Sequence, residues 1–344
     1  MANSFSGFER YINELLAELQ PRFRSIVKRR FGIGGASHMT LEAIGKKEHI
    51  TRERVRQIEN DAVKRLKKTD AFERGQAFES ALENIINRLG GIVSEEALLN
   101  TEDIAALKDK NSILFFLGVS SGITYRKADE VFLARWHTHE TPVVKIEEAL
   151  RALVSELASS KDTLQESDLY ARLAGHLRKA GIDHPKPQAL ATYIGLCRDI
   201  ERNAWGEYGH VVSPFVRPRG MRESAYVALS RAKQPLHFRE IAQRIGEFSG
   251  KSVHVQTVHN ELIKDGRFVL VGRGLYGLRE WGYEPGFVKD VLVKLLAAQG
   301  AMTREEILRE VTRVRHVKPS TVLINLQNKK LFRLEGDGTY TLIS

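Results

Sequence analysis

One stripe of apolar residues in the N-terminal part of the chain recurs at the spacing of a helix face. Its members are Val55, Ile58, Ala62 and Leu66. Spacings of three and four positions place such residues on one side of a helix, where they face a core. Thr51 can cap the start of this helix, and Thr40 can cap a shorter one over Leu41–Lys47. The pattern predicts two helices joined by a tight turn.

The opposite side of the longer helix is polar and suits the major groove of DNA. Arg can donate two hydrogen bonds to guanine, Gln can pair with adenine, and Glu can accept from the cytosine amino group. The second helix of a helix-turn-helix enters the groove N-terminus first. The residues expected to read bases are Arg52, Glu53 and Gln57, and those expected to contact the backbone are Arg54, Arg56 and Lys64. A surface helix with ion pairs would explain the charges but not these residue types at the tip.

The C-terminal part of the chain contains an internal repeat. Residues 257–278 align without a gap on residues 321–342, and nine of the 22 positions are identical. Each copy is typical of a helix, a strand, a Gly-x-Gly hairpin and a second strand, which is a winged helix-turn-helix. The hairpin tips are predicted at Gly272–Gly274 and Gly336–Gly338. A possible second DNA surface in the upstream copy consists of His254, Gln256, Thr257, Asn260 and Arg273.

Two weaker winged-helix patterns lie between these parts. Residues 81–136 begin as a helix followed by GGIVSEEALL, and residues 145–212 contain helices around 149–158 and 169–180 and a wing-like stretch at 206–214. Proline-containing joints are expected at Pro142, Pro214–Pro218 and Pro285. The predicted fold class is mainly α with small β wings, in tandem helix-turn-helix and winged-helix domains. The predicted domains are residues 1–70, 76–140, 141–214, 219–284 and 285–344.

The positive charge of the chain is concentrated in the first of these domains. The 344 residues carry a net charge of +10. Residues 22–68 hold 14 Lys and Arg against five Asp and Glu, whereas residues 76–140 hold six basic and ten acidic residues. A concentrated positive field favours nucleic-acid binding by the first segment, and net acidity argues against it in the second.

Other features of the composition favour a cytoplasmic, nucleoid-associated protein. The single cysteine, Cys197, excludes an internal disulfide. Met1–Gly7 does not have the pattern of a signal peptide, and no run of 18 apolar residues predicts a membrane span.

The string TLEAIGKKEHITRERVRQIENDAVKRLK at Thr40–Lys67, preceded by IVKRRFGIGG at Ile26–Gly35, resembles region 4 of the bacterial sigma-70 family. The resemblance covers about 45 residues and is specific along the second helix. It implies that Arg52, Glu53 and Gln57 read a −35 promoter element, with Arg54 and Arg56 near the backbone. It also implies RNA polymerase core as a possible partner. Pro21 and the basic RFRSIVKRR depart from the family pattern.

Residues 221–285 resemble the HARE-HTH domain, which occurs in the RNA polymerase delta subunit. The resemblance rests on PLHFREIAQRI at Pro235–Ile245 and on TVHNELIKDGRFVLVGRGLYGLREWGY at Thr257–Tyr283. It implies a winged helix that either recognises DNA or serves as a protein adaptor.

No catalytic constellation is evident in the sequence. His137 and His139 have no third metal ligand, the Gly-rich stretches lack a P-loop ending, and Cys197 has no identifiable base. The aromatic residues are too scattered for a domain that melts promoter DNA. We therefore expect a transcription protein that binds double-stranded DNA, without enzyme activity, cofactor, metal, small-molecule substrate or membrane association. The alternatives are an adaptor for protein partners and a DNA-recognition component of a restriction or defence system.

Overall fold

A computed structural model describes residues 5–283, 286–315 and 317–343. Helices dominate it and all its sheets are small, which confirms the predicted mainly α class with β wings. The predicted joint at Pro285 lies outside the described residues. The N-terminal helices are α1 (Phe8–Ala17), α2 (Pro21–Phe31), α3 (Leu41–Glu48), α4 (Arg52–Leu66) and the short α5 (Asp70–Glu73).

From Gln76 onward the chain repeats the element order of a winged helix: a helix, a short strand, one or two helices, a helix before the wing, and a two-stranded wing. The first winged helix comprises α6 (Gln76–Arg88), β1 (Ile92–Ser94), α7 (Glu95–Leu99), α8 (Glu102–Ala105), α9 (Lys110–Val119), β2 (Ile123–Arg126) and β3 (Arg135–Thr138). The second comprises α10 (Val143–Ser160), β4 (Thr163–Leu164), α11 (Glu166–Lys179), α12 (Pro187–Ile194), β5 (Ile200–Arg202) and β6 (Tyr208–His210).

The same order follows twice more. The third winged helix comprises α13 (Met221–Ala232), β7 (Leu236–His237), α14 (Phe238–Ser249), α15 (Val255–Lys264), β8 (Phe268–Leu270) and β9 (Leu275–Leu278). The fourth comprises α16 (Val288–Gln299), β10 (Met302–Thr303), α17 (Arg304–Val314), α18 (Pro319–Leu326), β11 (Phe332–Leu334) and β12 (Thr339–Leu342). In each of the four sheets the last strand of the module lies between the other two.

The third and fourth winged helices pair their wing strands in the same register. Phe268 lies opposite Leu278, and 64 positions later Phe332 lies opposite Leu342. Both hairpins turn at a glycine with positive φ, Gly274 at 69° and Gly338 at 85°, a conformation that side chains disfavour. The structure therefore confirms that the sequence repeat encodes two equivalent wings.

The chain divides into two compact units by its internal contacts. The N-terminal unit contains residues 1–160 and 164–201, and the C-terminal unit contains residues 161–163 and 202–344. In the C-terminal unit the third and fourth winged helices each have their own hydrophobic core. In the N-terminal unit one large core extends from α1 through the helix-turn-helix into the first winged helix, and it includes Leu15, Val27, Leu66, Ile86 and Phe116.

Candidate nucleic-acid interface

Helix α4 is held in place by caps and by a small core of its own. The Thr40 hydroxyl accepts a hydrogen bond from the Ala43 amide at 3.2 Å, and the Thr51 hydroxyl accepts one from the Arg54 amide at 3.1 Å. Both caps are those predicted, since side-chain oxygens satisfy the free amides of a first turn. Beneath them, one cluster of fully buried apolar side chains joins α2, α3 and α4: Ile26, Ile44, Val55 and Ile58.

The turn between α3 and α4 depends on the absence of a side chain at Gly45. A Cβ there would lie 2.7 Å from the Ile50 carbonyl oxygen, closer than a real Cβ can approach. His49 ends α3 in the left-handed conformation, with φ of 54°. The close passage of the chain past Gly45 brings the start of α4 directly after α3, as a helix-turn-helix requires.

The two faces of α4 are divided as the sequence predicts. The apolar stripe of Val55, Ile58, Ala62 and Leu66 is buried. All six candidate DNA-contacting side chains are exposed: Arg52, Glu53, Arg54, Arg56, Gln57 and Lys64. The structure thus brings the six together on one solvent-facing surface, and DNA contact by each of them stays a prediction.

Two pairs of side chains on this surface are already ordered by each other. The Arg56 guanidinium donates to Glu53, with Nε 2.9 Å from Oε2 and Nη2 2.5 Å from Oε1. This hydrogen bond holds the pKa of the Glu53 carboxyl below its usual range. Arg54 Nη1 donates to Gln57 Oε1 at 3.1 Å. The sequence indicated the residues but not these pairings, because several partners lie within reach at helix spacing.

Several arginines of α2 serve the packing of the helix-turn-helix. Arg29 Nη1 lies 2.6 Å from Glu48 Oε1, and Arg30 Nε lies 3.4 Å from Glu59 Oε2. These pairs join α2 to α3 and to α4. Part of the positive charge that distinguishes this segment therefore stabilises its fold, which sequence reasoning missed because Glu48 and Glu59 are remote in sequence from their partners.

The rear of the helix-turn-helix contacts the first winged helix directly. Phe31 packs edge-on against Phe115, with ring centroids 5.3 Å apart. The Gly34 amide donates to Asp109 Oδ2 at 2.8 Å, and Lys67 Nζ donates to the Ser120 carbonyl at 3.3 Å. The sequence could have indicated that α9 is a packing helix, because its apolar ILFFLGV run is too hydrophobic for a groove-reading helix.

The possible second DNA surface lies in the other compact unit. His254 caps α15, Gln256, Thr257 and Asn260 are on that helix, and Arg273 is in the wing loop; all five are exposed. Gln256 Nε2 donates to Asn260 Oδ1 at 3.0 Å. The structure therefore places these five residues in one module, and their contact with DNA stays a prediction.

The structure gives little support for a metal site or for a reactive cysteine. Within residues 5–283, 286–315 and 317–343, His, Cys, Asp and Glu side chains form no group of three or more that could hold a metal ion. Burial raises the pKa of the Cys197 thiol to about 12, which keeps it protonated and unreactive. Among the described helices, none is both long and apolar enough to span a membrane.

The fold defines the class of the N-terminal segment: a helix-turn-helix attached to winged helices. Residues 15–68 match the family described as Sigma-70, region 4. The match supports the predicted sigma-70 resemblance, whereas the comparisons give no support to the HARE-HTH resemblance of residues 221–285.

Relatives of this segment are bacterial sigma factors. The chain is 43% identical over 70 residues to RNA polymerase principal sigma factor HrdD of Streptomyces coelicolor, which is 20% of either protein. It is 46% identical over 57 residues to RNA polymerase sigma factor RpoD of Helicobacter pylori, covering 16% of this chain and 8% of the relative. It is 47% identical over 57 residues to RNA polymerase sigma factor RpoS of Coxiella burnetii, covering 17% and 16%. The chain thus spans a fifth or less of the length of these relatives.

Proposed function

We propose that this protein is a transcription protein that binds a promoter-like element of duplex DNA through α4. The observation that carries the proposal is the division of α4 into a buried apolar stripe and an exposed face with the six candidate DNA-contacting side chains. The similarity of residues 15–68 to region 4 of sigma factors supports it.

The roles we assign follow from position along the helix. Arg52, Glu53 and Gln57 lie in the N-terminal turns, which enter the groove first, and we propose that they contact base edges. Arg54, Arg56 and Lys64 flank them and neutralise phosphates, which sets orientation without reading sequence. On this proposal, the phosphate contacts orient the protein on DNA, and the base contacts at the N-terminal end of α4 determine which DNA sequences it prefers.

RNA polymerase core is the proposed protein partner, because the relatives of residues 15–68 are named as RNA polymerase sigma factors. Association with polymerase would place the protein in the cytoplasm at the nucleoid. On this proposal the chain acts by binding and needs neither an enzyme activity nor a cofactor.

A second candidate function, an adaptor for protein partners, is favoured by α18. This helix of the fourth winged helix contains no charged residue, and its Ile324 side chain is 66% exposed. A surface helix without charged side chains is better suited to contact with a protein than to contact with a polyanion. The two functions are compatible, because α4 and α18 belong to different modules.

The test of the main proposal is the salt dependence of DNA binding by the full chain. Binding sites are first selected from random duplex DNA, and affinity is then measured over a range of salt concentrations. Loss of a phosphate contact in Arg54→Ala or Lys64→Ala should weaken binding to all sequences and reduce the salt slope by about one.

Arg10→Ala is the matched control, because it removes an exposed guanidinium from α1, outside the helix-turn-helix. It should leave both affinity and salt slope nearly unchanged. If Arg54→Ala and Lys64→Ala behave like Arg10→Ala, α4 does not face DNA and the adaptor becomes the better account.

A further inference from the structure

The helix before the wing is the usual DNA-reading element of a winged helix, and two of the four copies here are unavailable for that role. In the first winged helix, α9 is buried along most of its length, with Phe115 and Phe116 both fully inaccessible. In the second, α12 packs against the first, and the Tyr193 hydroxyl donates to the Gly90 carbonyl at 2.7 Å. Both helices serve as packing elements of the N-terminal unit.

The fourth winged helix exposes its helix before the wing but has the wrong chemistry for DNA. Ile324 occupies the position that Asn260 occupies in the third winged helix, 64 residues earlier. The wing loop carries Asp337 where the third has Arg273. An exposed isoleucine and an acidic wing would meet phosphates and base edges unfavourably.

The third winged helix retains the features that the other three lack. The side-chain amides of Gln256 and Asn260 are exposed on α15 and contact each other at 3.0 Å, one turn apart, so each is oriented by the other. Such amides offer both the donor and the acceptor that an adenine edge requires. At the wing, Arg273 is exposed, and among the described residues its side chain has no ion-pair or hydrogen-bond partner.

The acidic residues near α15 are neutralised within the module. Glu261 Oε2 lies 2.5 Å from Arg222 Nε, and Glu261 Oε1 lies 3.4 Å from Lys264 Nζ. Asp265 Oδ2 lies 2.6 Å from Arg267 Nη2. Paired carboxylates contribute little repulsion to an approaching phosphate, and Arg273 adds a positive charge in the loop between β8 and β9.

We infer that the third winged helix, residues 221–278, is a second duplex-DNA-binding element. In this complex, Gln256 and Asn260 of α15 contact base edges in a groove of the DNA, and Arg273 of the wing contacts the neighbouring phosphate backbone of the DNA. The protein would then hold DNA through two separate helices, α4 and α15. This inference stands on the third winged helix alone and does not require that α4 binds DNA.

The experiment measures binding of the full chain to mixed-sequence duplex DNA in a background that disables α4: Arg52→Ala, Arg54→Ala and Lys64→Ala. To this background we add Gln256→Ala, Asn260→Ala and Arg273→Ala. The matched control instead adds Lys318→Ala, Ser320→Ala and Ile324→Ala on and beside α18, which also removes one cation. All six added positions are exposed, so the thermal melting of the variants should match that of their parent.

Salt-dependent binding should persist in the α4-disabled background. The α15 set should then weaken it by about tenfold or more and reduce the salt slope by about one, whereas the α18 set should leave it unchanged. Absence of binding in the background, an unchanged affinity with the α15 set, or an equal loss with the α18 set would each overturn the inference. If the α4 substitutions themselves cost no affinity, the proposed function of α4 fails while the test of α15 still proceeds.

Discussion

Arg52 and Arg56 are exposed arginines one turn apart on α4, but their surroundings differ. Arg56 is held by Glu53 through hydrogen bonds of 2.5 to 3.1 Å. Arg52 has no hydrogen-bond or ion-pair partner among the described residues, so its guanidinium can reach a base edge without breaking an existing contact. Gln57 is intermediate, because its carbonyl oxygen accepts from Arg54 while its amide nitrogen stays available.

These differences predict a difference in specificity. Arg52→Ala and Gln57→Ala should each cost about 1–3 kcal/mol at one position of the selected DNA site and relax preference there. Arg56→Ala should weaken binding to all sequences alike, since a backbone contact carries no sequence information. Each variant is titrated against the selected site and its single-base changes at one salt concentration. Uniform losses for Arg52→Ala and Gln57→Ala would mean that α4 does not read bases.

A second prediction at this scale concerns Glu207 in the C-terminal unit. Its carboxylate accepts from Arg231 Nη1 at 2.7 Å and from the Thr163 hydroxyl at 2.7 Å. The bond from Arg231 is the main cause that lowers the pKa of Glu207 to about 2, against 4.5 ordinarily. Because the folded-state pKa is the lower one, the stabilisation is present above about pH 4.5 and is lost as pH falls towards 2.

Glu207→Gln should therefore lower the free energy of unfolding at neutral pH, and the difference from the parent protein should shrink between pH 4.5 and 2. Chemical denaturation at several pH values measures this difference in the free energy of unfolding. Making Glu207→Gln in an Arg231→Gln background distinguishes loss of the Glu207–Arg231 ion pair from other effects of the substitution. A difference that is constant with pH, or that survives the loss of Arg231, would contradict the pairing.

At the scale of elements, two helical glycines differ in what surrounds them. Gly45 in α3 lies against the Ile50 carbonyl, where a Cβ would be 2.7 Å away, whereas Gly118 in α9 has nothing within 4 Å of such a Cβ. Gly45→Ala should destabilise the protein, because backbone at the turn has to move, and should weaken DNA binding through α4. Gly118→Ala should stabilise it by up to about 1 kcal/mol through helix propensity. Thermal melts and DNA titrations of the two variants provide the comparison, and equal effects on both would argue against a tight turn at Gly45.

The elements that could be predicted are those encoded by local signals. The caps of α3 and α4 and the repeated wings after α15 and α18 depend on residues a few positions apart, and the structure has them where expected. The predicted helix at residue 81 begins earlier, at Gln76, and the wing expected at 206–214 contains β6, whose hairpin partner β5 starts at Ile200. The burial of α9 and α12 could not be predicted, because it depends on contacts between modules that are distant in sequence.

At the scale of the molecule, the N-terminal unit joins its modules through buried contacts. The core that begins at α1 continues into α6 and α9 without interruption. A polar network then joins β2 and β3 to α10: Arg135 Nε donates to Glu147 Oε1 at 2.8 Å, and Arg126 Nη1 donates to Glu147 Oε2 at 2.6 Å. Arg135 and Glu147 are both buried, so loss of either side chain would leave the other as a buried charge with fewer partners. Helix α4, the proposed DNA-binding helix, thus shares one compact unit with the first winged helix and with α10, α11 and α12.

This continuity predicts how truncated proteins behave. A fragment of residues 1–201 keeps all of the N-terminal unit, although it ends within β5 and lacks β6 of the second winged helix. It should still unfold cooperatively and retain binding that depends on Arg54 and Lys64. A fragment of residues 1–70 keeps α4 and all its candidate DNA contacts but exposes the side chains that α6 and α9 cover, Val27, Leu66 and Phe31 among them. Exposure of apolar core surface costs about 25 cal/mol for each Å², so the short fragment should melt broadly at lower temperature and bind DNA more weakly.

Circular dichroism melts and titrations against the same selected duplex compare the two fragments with the full chain. The matched control is the 1–201 fragment with Phe116→Ala, which removes one buried ring of α9 but none of the candidate DNA-contacting side chains. A core substitution of this kind typically costs about 3–5 kcal/mol, so the variant should lose stability and shift towards the behaviour of the short fragment. If residues 1–70 instead melt as sharply and bind as tightly as residues 1–201, the first winged helix is not needed to support α4, and the helix-turn-helix folds as the separate domain that its sequence suggests.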